Sequence, residues 1–496
     1  MKKRLRIALT LILVSLVLGF ALYAQGTGEQ NLPVQASTST NPAKAPKYVF
    51  FFIGDGMGYV QINAAAVLNG NNTSGSIALS PLEFTKFPVV GLQTTYDATS
   101  FVPDSASTAT ALSSGFKTHS GVIGLGIDKT TKGVTIAERL KQEKGYKIGI
   151  ISSVTLNHAT PAGYYAHVVS RNSYYEIGKQ MIASGFDFFG GGAIKKYNDG
   201  GQASIYDLLK QSGYTVVDTK DAIMGLNGKS GKVYAQSPRL QDDGAMPYSL
   251  DMDDSDVRLA DFVQKGIDVL DNSNGFFMMV ESGKVDWACH ANDAAAEIDD
   301  VIDLDNAVQV AIKFANSHPD ETLIVVTADH ETGGMTIGAA ATGYNTAFDI
   351  LRNQKESYVA FDNQITTMKN PSFEEVMALV KNEFGLVAPG MPATNPNLVL
   401  SEVQYQKLKD AYKEAMLPAG KRTNNETTAL LYGGYNPLSV SLTHILNTKA
   451  GIGWTSYAHT GTPVPVFANG VGADLFSGSY DDTDIFFKLK AACQLN

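Results

Sequence analysis

The sequence predicts an α/β fold: a mostly parallel central sheet flanked by helices on both faces, with a helical crown-like insertion. Three observations carry this expectation. Short apolar runs rich in β-branched and aromatic residues recur along the chain, amphipathic stretches separate them, and acidic residues stand within two positions of the ends of three of the runs. The runs are Tyr48 to Ile53, Lys147 to Ser152, Gly275 to Val280 and Thr322 to Thr327. Each has the length of one strand. Alternation with helical stretches such as Val134 to Glu143 and Ala294 to Ala315 favours parallel pairing under helices on both faces.

Taken in order, the chain of 496 residues opens on Lys2, Lys3, Arg4 and Arg6, followed by an apolar run from Ile7 to Ala24. A basic segment, an apolar segment and Ala24 before a polar stretch describe an export signal over residues 1–25, with a retained membrane anchor as the alternative. The expected location is therefore periplasmic or extracellular, with membrane contact only if the signal is kept. Residues 26–46 are rich in Gly, Thr, Ser, Asn and Pro and predict a flexible tether. The main folded domain is expected over 47–496. A Gly-, Ser- and Asp-rich segment at about 194–251 predicts a surface excursion. A second insertion, at about 340–453, carries the amphipathic helices Pro371 to Phe384 and Ser401 to Leu417.

Net charge is −10, and removing the four N-terminal cations leaves −14 for the remainder. An acidic body argues against a nucleic-acid partner, which would need a basic face. Small anionic substrates stay open, because bound metal reverses the local sign. Only Cys289 and Cys493 are present, and a chain this long folds without disulfides.

Asp55 follows the first run, Glu281 the third and Asp329-His330 the fourth. Ligands of open α/β sheets bind outside the carboxyl ends of the strands. Acids delivered there from three strands cannot all stay ionised without compensation, and a cation is the simplest one. Asp286 and His290 are four apart, the spacing at which one helix face presents two ligands, although surface pairs share it. Pro103 to Thr110 opens a small-residue helix that ends near Gly115. Asp104 and Ser105 suit its N-terminus as caps, and the same free N–H groups favour phosphate. A serine nucleophile there needs a base or a metal, and no Gly-x-Ser-x-Gly elbow surrounds Ser105.

Six segments then fall in order from about residue 48 to 467. They are Phe52-Ile-Gly-Asp55-Gly-Met-Gly58, Pro103-Asp-Ser105-Ala-Ser-Thr-Ala-Thr110, His158-Ala-Thr160-Pro161 with Ser170-Arg171, Glu281-Ser-Gly-x-x-Asp286-x-x-x-His290, Thr327-Ala-Asp329-His330-Glu-Thr-Gly-Gly334, and His459-Thr-Gly461. Together they resemble the motifs of the alkaline phosphatase family. The resemblance implies hydrolysis of phosphate monoesters through a phosphoserine on Ser105, with two zinc ions (Zn2+) and one magnesium (Mg2+). One zinc would fall to Asp286, His290 and His459, the other to Asp55, Asp329 and His330. Magnesium would fall to Asp55, Thr160 and Glu281, and Arg171 would clamp two phosphate oxygens. Asp104, His158 and Trp287 would stand behind these groups. Some relatives carry Asp and Lys in place of His158 and Trp287, others His and Trp, so the links to magnesium and phosphate are altered here. The family is commonly dimeric, and the reaction implies an alkaline optimum.

Two other readings compete. A phosphodiesterase or sulfatase of the same superfamily is one. Ser105 lacks the Ser/Cys-x-Pro-x-Arg setting of sulfatases, and Thr160 and Glu281 fill a third metal site that diesterases generally lack. The other is a non-catalytic metal- or phosphate-binding scaffold, which would need a lost nucleophile or a broken ligand set.

Overall fold

The computed structural model describes residues 44–340 and 342–496. The export signal expected at 1–25 and nearly all of the tether at 26–46 lie outside the described residues. Among the described residues, no helix is long and apolar enough to cross a membrane.

Eight strands come first: β1 (Tyr48–Gly54), β2 (Val89–Thr94), β3 (Lys147–Ser152), β4 (Phe188–Gly191), β5 (Tyr214–Val217), β6 (Lys232–Gln236), β7 (Phe276–Ser282) and β8 (Thr322–Thr327). Four two-residue strands follow, β9 (Glu331–Thr332), β10 (Thr336–Ile337), β11 (Ile452–Gly453) and β12 (His459–Thr460). Then come β13 (Val464–Gly470) and β14 (Gly478–Asp481). Ten of these strands form one sheet in the order β14-β2-β13-β8-β1-β7-β3-β4-β6-β5. Every pairing is parallel except those of β13, which runs antiparallel to β2 and β8. β9 pairs with β12 and β10 with β11, both outside the main sheet.

The centre of the sheet reads as continuous apolar sequence because both faces are covered. In β1, Tyr48, Phe50 and Phe52 enter one core with Phe262, Ile298 and Leu304, from the Leu259–Leu270 and Ala294–Ser317 helices. Val49, Phe51 and Ile53 enter the other, with Leu112, Leu140, Ile177 and Ile485. Truncating Phe50 or Phe51 to Ala would cost about 3–5 kcal/mol. In register, Ile53 lies beside both Glu281 and Thr327, and Ser152 beside Glu281. The carboxyl ends of β3, β7, β1 and β8 therefore finish level, and that level edge is where the site assembles.

The four expected strands form, two of them to the residue. The expectation of a surface excursion over 194–251 needs correction: β5 and β6 lie in it and complete the main sheet at its edge. Their short runs and Gly-rich surroundings hide them, and β5 is only partly buried. The Val134 to Glu143 helix begins at Ile136, capped by Thr135, and ends in a π turn over Leu140–Lys144. The 340–453 stretch is helical as expected. It holds helices Tyr358–Thr367, Phe373–Phe384, Glu402–Ala415, Glu426–Tyr432 and Pro437–Ala450. Ser372 and Ser401 each start a helix with a reciprocal cap, and Gly385 at φ 69° stops the Phe373–Phe384 helix. Cys289 and Cys493 are free and buried.

Candidate active site

Asp55 follows β1 directly and is buried. The chain turns away at Gly56 with φ 73°; a Cβ there would sit 2.9 Å from Thr332 Oγ1 and 3.0 Å from Asp286 Cα. Glycine is required on both counts. Glu281 is the last residue but one of β7, and the helix that follows, Lys284–His290, carries Asp286 and His290 on one face. Asp329 and His330 follow β8, and His459 sits in β12, held by β9 through the pairing His459–Thr332. Ser105 is the first residue of the Ser105–Ser114 helix, capped by Asp104 accepting from Ser107 N.

Two ligand clusters result. In the first, His290 Nε2 lies 3.3 Å and His459 Nε2 3.6 Å from Asp286 Oδ1, and the two Nε2 atoms are 3.1 Å apart. His290 Nδ1–H donates to Tyr457 O at 2.6 Å, and His459 Nδ1–H to Pro103 O at 2.7 Å. Each Nε2 therefore presents a lone pair inward, the orientation a metal-binding imidazole needs.

The second cluster joins Asp55, His330 and Asp286. His330 Nε2 lies 3.3 Å from Asp55 Oδ1 and 3.4 Å from Asp329 Oδ2. Asp329 is thus adjacent, as the sequence predicts, with Oδ2 accepting from Thr108 at 3.3 Å. Thr332 joins the clusters: its hydroxyl donates to Asp286 Oδ1 at 2.6 Å and faces His330 Nδ1 at 3.2 Å. That leaves His330 Nε2 as an acceptor for Ser105 Oγ, 3.1 Å away.

Behind Asp55, Thr160 Oγ1 donates to its Oδ2 at 3.4 Å. Glu281 accepts from Ser152 Oγ in a short bond. Asp55 Oδ1 and Glu281 Oε1 are buried with no hydrogen-bond partner. Arg171 Nη1 donates to Asp104 Oδ2 at 2.9 Å. Asp104 Oδ1 meanwhile accepts from Gly121 N and Ser107 N at 2.9 and 3.1 Å. His158 and Trp287 meet edge to face, 5.9 Å between centroids. Ser105, Arg171, His158, Trp287 and both histidines of the first cluster line one cavity.

The electrostatics call for cations. Burial first, then the neighbouring carboxylates, push Asp55 well above the ordinary carboxylate range and Asp329 up to about 8. Burial likewise lifts Glu281 to about 7, against hydrogen bonds from Ser152 and its neighbours. Burial opposes ionisation of Asp286 too, yet the His290, His459 and His330 imidazoles hold it below its usual value. Burial also lowers His158 to about 3, so its ring is neutral. Orphaned buried carboxylate oxygens and inward-facing imidazole lone pairs fit divalent metal ions.

All the site residues expected from sequence converge here. Sequence reasoning missed Thr332, the carbonyls of Pro103 and Tyr457, and the cavity residues Tyr358 and Tyr435. Only Thr332 left a signal, inside the Asp329 to Gly334 segment. Four further histidines make hydrogen bonds away from the two candidate ligand clusters: His119 with Ile127 O, His167 with Gly133 O, His318 with Phe314 O, and His444 with Asn292 Oδ1.

An open α/β sheet whose carboxyl edge sets a serine at a helix N-terminus between imidazole–carboxylate clusters and a guanidinium defines a metal-dependent phosphoryl-transfer enzyme. The comparisons agree. The alkaline phosphatase family profile matches residues 46–495, and the chain belongs to that family. Alkaline phosphatase 4 of Bacillus subtilis is 33% identical over 475 residues, covering 92% of this chain and 91% of that one. The crystal structure of a cold-active alkaline phosphatase from a psychrophilic Shewanella is 28% identical, covers 90% of this chain and 99% of its own, and superimposes with a TM-score of 0.74. A histidine-to-glutamate variant of the alkaline phosphatase from the Antarctic bacterium TAB5, with Mg bound in its M3 site, is 25% identical. It covers 91% of this chain and 99% of its own, at TM-score 0.61.

Proposed function

We propose that this alkaline phosphatase hydrolyses phosphate monoesters by double displacement, with Ser105 as the nucleophile that carries the phosphoryl group between the two steps. The observation that carries the reading is the position of Ser105 Oγ, 3.1 Å from His330 Nε2 and at the start of a ten-residue helix. Asp286, His290 and His459 would hold one Zn2+; Asp55, Asp329 and His330 a second; and Asp55, Thr160 and Glu281 a Mg2+. Bound there, the ions supply Lewis-acid charge that stabilises the attacking and leaving oxygens together.

The chain's own groups do the rest. Ser105 Oγ sits 3.1 Å from His330 Nε2, the atom that would ligate the second ion, so the hydroxyl lies beside that ion's position, and Thr332 fixes the ring through Nδ1. Free N–H groups at the helix N-terminus favour the doubly charged phosphoryl group. The Arg171 fork grips two of its oxygens at once, with Asp104 fixing the guanidinium plane. The signal-like N-terminus supports an exported enzyme, and the family resemblance supports a homodimer.

Trapping the intermediate tests the assignment. Acid quench during turnover of a monoester labelled in its phosphate should leave label on Ser105. Ser105→Ala should abolish both label and turnover, by several orders of magnitude, while keeping its metal content. Undiminished turnover in that variant would remove Ser105 from the reaction.

A further inference from the structure

We propose that the mouth of the catalytic cavity is built to hold a planar ring on the alcohol side of the phosphomonoester, as in a nucleoside monophosphate, and that the helical crown supplies this wall. The inference rests on the phosphomonoesterase reading of the same site. Ser105, Arg171 and the metal clusters suffice for a phosphoryl group. The cavity nevertheless encloses about 450 Å³, within the range of pockets that bury a ligand of drug size. The rest of its lining is His158, Trp287, Tyr358, Tyr435, Asp242 and Asp243. Tyr358 and Tyr435 both come from the 340–453 insertion.

These rings form one continuous wall. Lys284 Nζ lies 4.8 Å from the Trp287 ring and 3.6 Å from the Tyr248 ring. Tyr248 meets Tyr358 at 5.8 Å between centroids, with their hydroxyls 3.3 Å apart, and Tyr358 meets Tyr435 edge to face at 5.7 Å. The wall is anchored to the chemistry as well: Tyr435 lies 6.4 Å from Tyr457, whose carbonyl accepts from His290. Trp287 and Tyr435 remain partly exposed, so they keep ring surface for a ligand. Fixed aromatic faces lose little freedom on binding and stack on any flat ring. Asp242 and Asp243 add acceptors for the hydroxyl or amino groups such an alcohol carries.

Adenosine 5′-monophosphate and ribose 5-phosphate share the leaving oxygen and the sugar and differ in the base. With the metal-loaded enzyme, kcat/KM should favour the nucleotide by about tenfold or more, the scale of one base–aromatic stack. Tyr435→Leu should cut that ratio below about threefold. Free adenosine should inhibit the unaltered enzyme about tenfold more tightly than ribose, a readout that needs no variant to fold. A ratio near one in the unaltered enzyme, a ratio unmoved by Tyr435→Leu, or equal inhibition by adenosine and ribose would each overturn the wall. Brisk and equal turnover of both esters would leave the phosphomonoesterase reading standing, whereas turnover of neither would overturn both.

Discussion

The Nε2 atoms of His290 and His459 lie 3.1 Å apart, and both rings have their Nδ1–H committed to a backbone carbonyl. Two imidazole lone pairs therefore face each other beside the Asp286 carboxylate. Three acceptors in that geometry repel one another unless a cation lies among them. A buried site of this kind couples metal binding to stability.

Metal removal should therefore expose a pH dependence. Folding raises the Glu281 and Asp329 carboxyls to about 7 and about 8. The native state then holds protons that the unfolded chain releases between about pH 4 and those values, so stability falls as pH rises through that window. Chelated protein should lose several degrees of Tm between pH 5 and pH 8.5, and zinc with magnesium should restore them at the upper end. A chelated protein whose Tm does not fall with pH, or does not respond to metal, would contradict this account of the cluster.

The Arg171–Asp104 pair separates charge from capping. Asp104 caps the Ser105 helix and also holds the Arg171 guanidinium at 2.9 Å. Asp104→Asn keeps a capping acceptor and should weaken phosphate inhibition about tenfold with little change in Tm, whereas Asp104→Ala should also lose about 1 kcal/mol of stability. Arg171→Lys, which trades a planar fork for a point charge, should weaken phosphate about 10- to 100-fold. Equal phosphate affinity in all three variants would remove the pair from substrate binding.

His158 and Trp287 meet edge to face in the same cavity, and burial keeps His158 neutral. Replacing them together, His158→Asp with Trp287→Lys, adds a carboxylate near the Asp55, Thr160 and Glu281 group and an ammonium beside the phosphate. The magnesium concentration for half-maximal activity should fall, and phosphate inhibition should tighten. If neither moves, these two side chains do not tune the metal or the phosphate.

The central strands were legible because burial on both faces forces unbroken apolar runs, as in Tyr48 to Ile53 and Thr322 to Thr327. The flanking strands were not. β2 exposes alternate residues, and β4 ends in Gly190 and Gly191, so neither carries enough apolar signal against its surroundings. The site was legible at Asp55, Glu281 and Asp329 because strand ends mark it. Arg171, Thr160 and His459 stood out through the family resemblance instead. Backbone carbonyls leave no trace in sequence, so the groups that orient His290 and His459 were invisible. The crown reads from sequence as a helical insertion; only the fold brings Tyr358 and Tyr435 to the cavity that Ser105 lines.

Hydrolysis of p-nitrophenyl phosphate against bis(p-nitrophenyl) phosphate, on one metal-loaded preparation, tests the central claim most directly. A kcat/KM for the monoester exceeding that for the diester by orders of magnitude is the expected result, with Arg171 and the third ligand group serving a dianionic phosphoryl group. A preference for the diester would contradict the account and make a phosphodiesterase of the same superfamily the better description.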